Sequence, residues 1–278
     1  MVNYMPIVPI GYLETLDVAG TTNVFILSQY WKIKAYRDFY LGRKWDTVVL
    51  DNALYEDVKA TDFEHMMVMA RQLDADQVFV VGPEKLTDGI ETGRMTIDIL
   101  EEYQSEGLLD DNINLMCILH ERPNEMLEQW NMIRKYRDVA LGISIFSYRL
   151  GFDRGSLHKF LDLPQDRYVH AFGWDNLLEI YNMAGRFNSI DSSLCVSAAI
   201  NEVDLKQQWQ ITRNVKMDGR KVTSRLPISW DGSDNSGLDD KVMMYDIVKN
   251  IQFLDAFTQA DGQMIFAESE LPKRSMVD

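Results

Sequence analysis

At 278 residues the chain is long for a minimal module and short for two enzyme domains of roughly 150 residues each, whereas one α/β barrel takes about 250. Its 46% hydrophobic content supports a large core and excludes an intrinsically disordered segment. The 28 basic and 43 acidic side chains leave a formal charge of −15. That excludes a protein that coats nucleic acid through bulk charge, but not one with a local basic groove.

The opening MVNYMPIVPIGYLETLD has no basic segment ahead of its apolar residues and turns polar after Leu13, so no signal peptide is expected. No apolar run approaches the ~18 residues of a membrane span. Cys117 and Cys195 each sit in a strand-like apolar run and read as buried, reduced thiols, which points to the cytoplasm. His65, His120, His158 and His170 are scattered, without the spacing of a zinc site, so no structural zinc is expected; an oxygen-ligand metal site at the strand ends stays open, although neither metal nor cofactor is the expectation.

Short apolar runs recur along the chain: IVPIGYL (7–13), VFILS (24–28), TVVLDN (47–52), QVFVVG (77–82), NLMCIL (114–119), VALGISI (139–145), YVHAFG (168–173) and SIDSSLC (189–195). Several are near-continuous in Val, Ile and Leu, as strands covered on both faces should be. Segments of helical period lie between most of them, over 61–73, 89–103, 124–136 and 176–187. In the first, Thr61 and Glu64 form a capping box ahead of a stripe of Met66, Met67, Met69, Ala70 and Leu73, which reads as core. Alternating strands and helices imply parallel strands with right-handed crossovers, and eight strands in this length predict a (β/α)8 TIM barrel over 1–199. No G-x-G-x-x-G follows the first strand, which argues against a dinucleotide-binding sheet. Residues 200–278 read as a turn-rich extension with a helix near 239–260, packing on the barrel rather than forming a domain.

Functional groups of such barrels gather at the C-terminal strand ends. Those ends carry Asp51-Asn52, Pro83-Glu84, His120-Glu121, Gly142-Ile143, Gly173-Trp174 and Asp191-Ser192-Ser193. An Asp at a strand end is commonly a turn former, and Ser192 and Ser193 could simply satisfy Asp191. Several carboxylates at one mouth nevertheless point to acid–base or nucleophilic chemistry. Paired carboxylates on a barrel also fit a glycosidase. Two stretches offer basic surface. In 213–225, Arg213, Lys216, Arg220, Lys221 and Arg225 face one acid, Asp218. In 30–44, Lys32, Lys34, Arg37, Arg43 and Lys44 face Asp38 and alternate with Tyr30, Trp31, Tyr36, Phe39 and Tyr40. Such stretches can grip phosphate and stack on an unpaired base, or be solvated faces over core aromatics.

The ordered set LDNALYE (50–56), VVGPEKLTDGIET (80–92), LMCILHERPNEM (115–126), ALGISI (140–145), YVHAFGWDNLLEI (168–180) and NSIDSSL (188–194) resembles the tRNA-guanine transglycosylase superfamily. In particular it resembles the shorter DpdA-like branch, phage and bacterial enzymes that place 7-deazaguanines into DNA. The resemblance spans roughly residues 5–195. It implies a base exchange at C1′ of the sugar, with Asp191 as the nucleophile that holds the sugar covalently and Asp51 as the acid/base. It also implies base contacts from Tyr55, Glu84, His120 and Gly142, with DNA rather than tRNA as partner and an incoming 7-deazaguanine such as preQ0. The family's Asp-Ser-Gly-Gly reads Asp51-Asn52-Ala53-Leu54 here, Glu84 stands for an Asp and His120 for a Gln, and the tRNA enzymes' zinc motif is missing. Those departures leave open a non-catalytic barrel that binds nucleic acid or another partner. No oligomeric state is implied.

Overall fold

Asn3–Pro6 forms the first strand, β1, ahead of the apolar run at 7–13 that the sequence marks as a strand. In that run Pro9 lacks the N–H a ladder needs, and Ile10–Tyr12 winds into a 3-10 turn instead. The computed structural model describes residues 2–54, 60–85, 88–120, 122–144, 154–174, 177, 186–208 and 240–259. The other strands are β2 (Asn23–Leu27), β3 (Lys44–Asp51), β4 (Asp74–Val81), β5 (Ile113–Leu119), β6 (Ala140–Ile143), β7 (Val169–Ala171) and β8 (Ser189–Ser192).

All ladders are parallel, in the order β1-β8-β7-β6-β5-β4-β3-β2. The end strands β1 and β2 lie against each other without a ladder and bring the sheet round into a nearly closed (β/α)8 barrel. Strand alternation sorts the core into two layers. Phe25, Leu27, Val49, Phe79, Val81, Met116, Ile118 and Ala140 fill the barrel interior. Their neighbours Val24, Ile26, Val48, Leu50, Val78, Val80, Leu115, Cys117 and Leu141 face the helices. The two-sided burial explains the continuous apolar runs.

The helices are α1 (Glu14–Ala19), α2 (Lys34–Leu41), α3 (Phe63–Gln72), α4 (Gly89–Glu106), α5 (Pro123–Ile133), α6 (Arg154–Phe160), α7 (Leu194–Ile200) and α8 (Asp240–Gln259). The Met stripe of α3 is buried as its period requires, but the N-cap is Asp62, whose carboxylate accepts the His65 N–H at 3.2 Å. Thr61, expected to cap, instead hydrogen-bonds Ser28 at 2.7 Å. Leu194 and Cys195 begin α7 rather than ending a strand, because the Ser192 hydroxyl accepts the Leu194 N–H at 2.9 Å and turns the chain. Both cysteines are buried free thiols, and burial pushes Cys117 up to about 12 and Cys195 to about 11. The helix expected over 176–187 lies mostly outside the described residues.

Helix α8 buries Ile247, Ile251, Leu254 and Phe257, and packs against β1, α1 and α7. Its buried Asn250 accepts the Leu205 N–H at 3.2 Å and donates to the Val203 carbonyl at 3.3 Å. No helix among the described residues is long and apolar enough to cross a membrane.

The 30–44 stretch is not a stacking surface. Trp31, Tyr36, Phe39 and Tyr40 are buried in the outer core, with Tyr36 edge-on to Tyr40 at 4.8 Å. Four of its cations are engaged: Lys34 and Arg37 pair with Asp38, Arg43 with Asp17, and Lys44 with Asp76 at 3.0 Å. The aromatics are core because α2 has one apolar face, and the charges are its solvated side.

Candidate active site

Asp51 is the last residue of β3 and shares the inward face with Val49, two residues before it. The chain then turns sharply. Ala53 takes a left-handed φ of 61°, a conformation that costs a residue with a Cβ about 1–2 kcal/mol. That turn aims the Ala53 N–H at Asp51 Oδ2, 3.0 Å away, while Asn52 donates to the Gly82 carbonyl at 3.1 Å and ties the β3 and β4 exits together.

Asp191 is buried in β8 on the inward face, opposite Met5 of the inner core. Ser192 and Ser193 do not hold its carboxylate: the Ser192 hydroxyl donates to the Trp174 carbonyl. Instead Oδ1 accepts two hydrogen bonds, from His170 Nε2 at 2.9 Å and from the Gly173 N–H at 3.0 Å. Gly173 has φ 65°, so each of the two carboxylates is met by the backbone N–H of a left-handed residue. Asp191 Oδ2 receives no hydrogen bond among the described residues.

His170 was not legible as a site residue, yet it is fully buried at the centre of a relay. Its Nδ1 meets Ser189 Oγ at 2.6 Å, and Ser189 Oγ meets the Tyr168 hydroxyl at 2.5 Å. The imidazole stacks on Phe25 at 5.7 Å and takes the edge of Phe172 at 4.5 Å. Tyr168 stacks on Phe79 at 3.6 Å, and burial holds its hydroxyl well above the usual phenol range, so it stays protonated. Ser189, His170 and Asp191 comprise the residue types of a hydrolytic triad, but Ser189 is fully buried, with its Oγ held between His170 Nδ1 and the Tyr168 hydroxyl.

Beyond β4 and β5, Glu84 Oε2 and His120 Nε2 meet at 2.6 Å, both side chains almost wholly out of water. Glu84 Oε1 is also buried and has no hydrogen-bond partner among the described residues. The Gln129 amide braces the β5 exit, accepting the His120 N–H at 3.2 Å and donating to the Ile118 carbonyl at 2.8 Å. Gln29 is a further residue that the sequence did not disclose. It lies two positions past Leu27, the register neighbour of Asp51, and both atoms of its amide are buried without a partner among the described residues. Nothing in its local sequence marks that burial.

Gly142 lies in β6 and shares the inward face with Ala140. A Cβ there would come 2.4 Å from Phe172 Cε2 and 3.3 Å from Ile118. Gly142→Ala is therefore expected to displace Phe172 from His170 and to destabilise by about 1–3 kcal/mol, read as a lower urea midpoint at unchanged slope.

The fold thus brings Asp51 and Asp191 to one rim, on strands separated by β2 and β1, and joins Glu84 to His120 directly. Tyr55 and the basic residues Arg213, Lys216, Arg220, Lys221 and Arg225 lie outside the described residues. Among the described residues no group of three or more His, Cys, Asp or Glu side chains could hold a metal ion. No known family model matches the chain, and no curated protein matches it.

Proposed function

We propose that this barrel exchanges guanine in DNA for a 7-deazaguanine base through a covalent aspartyl-sugar intermediate. The observation that carries the reading is Asp191, a buried carboxylate with Oδ1 anchored twice and Oδ2 unengaged among the described residues, at the same rim as the buried Asp51. An anchored carboxylate with one oxygen available is a nucleophile fixed in direction. In the first step Asp191 Oδ2 bonds to C1′ as the C1′–N9 bond breaks, and the departing N9 takes a proton from Asp51. In the second, N9 of the incoming base bonds to C1′, its proton passes to Asp51, and the electron pair of the C1′–O bond returns to Asp191.

A polar planar ligand is supported by the orphaned groups at this rim. Buried polar atoms in native proteins are nearly all hydrogen-bonded, so Glu84 Oε1 and the Gln29 amide call for a partner that the described residues do not supply. Guanine-type bases offer N–H donors at N1 and N2 and a carbonyl acceptor at O6, which matches a carboxylate oxygen and a carboxamide. The basic 213–225 segment supports nucleic acid as the carrier, and the resemblance supports DNA over tRNA.

The test is to digest DNA and tRNA from cells expressing the chain to nucleosides and search by mass for 7-deazaguanine products. The expected result is a modified deoxynucleoside that disappears in Asp191→Asn. A product confined to tRNA would redirect the substrate. No product in either nucleic acid, with intact DNA binding, would replace the reading by a non-catalytic barrel.

A further inference from the structure

We infer that His170, oriented by Ser189 and Tyr168, is a positioning residue that speeds release of the covalent intermediate by making Asp191 a better leaving group. The inference rests on the base-exchange reading and goes beyond it, since His170 touches neither base nor sugar in that scheme.

The hydrogen-bond line fixes where the imidazole proton sits. A neutral His170 with its proton on Nδ1 would set the lone pair of Nε2 against Asp191 Oδ1 at 2.9 Å, which is repulsive. An imidazolium would donate to Ser189, and then either the Tyr168 proton (if Ser189 donates to Tyr168) or the Ser189 proton (if Tyr168 donates to Ser189) would need a further acceptor. None is present among the described residues. The arrangement that satisfies every group runs the other way. Tyr168 donates to Ser189, Ser189 donates to Nδ1, and Nε2–H donates to Asp191. The stacked rings of Phe79 and Phe25 hold the two ends of this line in place.

Both hydrogen bonds on Asp191 therefore end on the oxygen that does not bond to the sugar. A donor to a carboxylate is roughly twice as strong as one to a neutral acceptor. His170 and the Gly173 N–H thus stabilise the free carboxylate more than the ester. That asymmetry slightly dulls the attack and favours the second step, in which C1′–Oδ2 breaks and the pair returns to Asp191. Buried beneath Phe172, the imidazole is shielded from competing water.

The experiment uses the full chain and an end-labelled DNA oligonucleotide containing guanine. Adduct is trapped on a denaturing gel, then chased with free guanine to follow its decay. The expected result for His170→Leu is an adduct that accumulates and decays about tenfold more slowly than wild type. His170→Gln, which keeps an N–H donor, recovers part of the rate, and Ser189→Ala slows decay in the same direction by less. Should His170→Leu not fold, Ser189→Ala and Tyr168→Phe carry the comparison, and slowed decay in both is the supporting result. Decay at the wild-type rate in the folded variants, from a normal adduct, overturns this inference alone. Absence of any adduct from the wild type overturns base exchange and this inference together.

Discussion

Asp191→Asn will form no covalent adduct with guanine-containing DNA, and its base exchange will fall by about 10⁴-fold or more. The substitution isolates chemistry from structure. An asparagine carbonyl still accepts from His170 Nε2 and the Gly173 N–H, so the β7 and β8 exits keep their geometry. What is lost is the anionic Oδ2, since a neutral amide neither attacks C1′ nor leaves as a stable anion. The measurement pairs a denaturing gel for the adduct with exchange of labelled guanine into an oligonucleotide. Near-wild-type exchange in a folded Asp191→Asn protein would remove the aspartate from the nucleophile's role.

The second large effect is on stability. His120→Phe keeps the ring volume and the backbone N–H to Gln129, but deprives Glu84 Oε2 of its partner at 2.6 Å. Glu84 Oε1 has none already among the described residues, so a buried carboxylate would be left with no hydrogen bond from them. Breaking a buried pair in this way destabilises by about 3–5 kcal/mol, a large part of the ~5–15 kcal/mol that holds a typical protein folded. Urea unfolding should show a much lower midpoint. Replacing the pair together, Glu84→Leu with His120→Phe, should restore most of the loss, because apolar groups of similar volume have no desolvation penalty. If the double variant is no better than His120→Phe, the pair is not the source of the effect.

Barrel and rim were legible for a physical reason: strands buried on both faces leave runs such as TVVLD and QVFVV that nothing else explains. Short elements were not. β1 carries only four residues, and its pairing with β8 across most of the chain leaves no local trace beside the more apolar run at 7–13. The capping box at Thr61 failed because a neighbouring Asp62 is an equally good cap and Ser28 competes for the threonine. Asp51, Asp191, Glu84 and His120 stood out as polar residues at the ends of apolar runs. His170 did not, because one histidine inside YVHAFG reads as core. Its two-residue spacing from Tyr168 and Phe172 put it on the inward face, the only hint available. Whether that face also received Ser189 and Asp191 depended on the β7–β8 register.

One feature of the ring bears on how wide the site is. Counting round the sheet, Asp51 belongs to the bank that ends in β2, and Asp191 to the bank that ends in β1. The unladdered seam between those end strands runs between the two carboxylates. Elsewhere the strand spacing is fixed by peptide hydrogen bonds, but across this seam it is fixed by side-chain packing alone, with α8 bracing the β1 bank from outside. Among the described strands, the gap between Asp51 and Asp191 is thus the dimension of the barrel that no strand ladder fixes, and α8 packs on one side of it only.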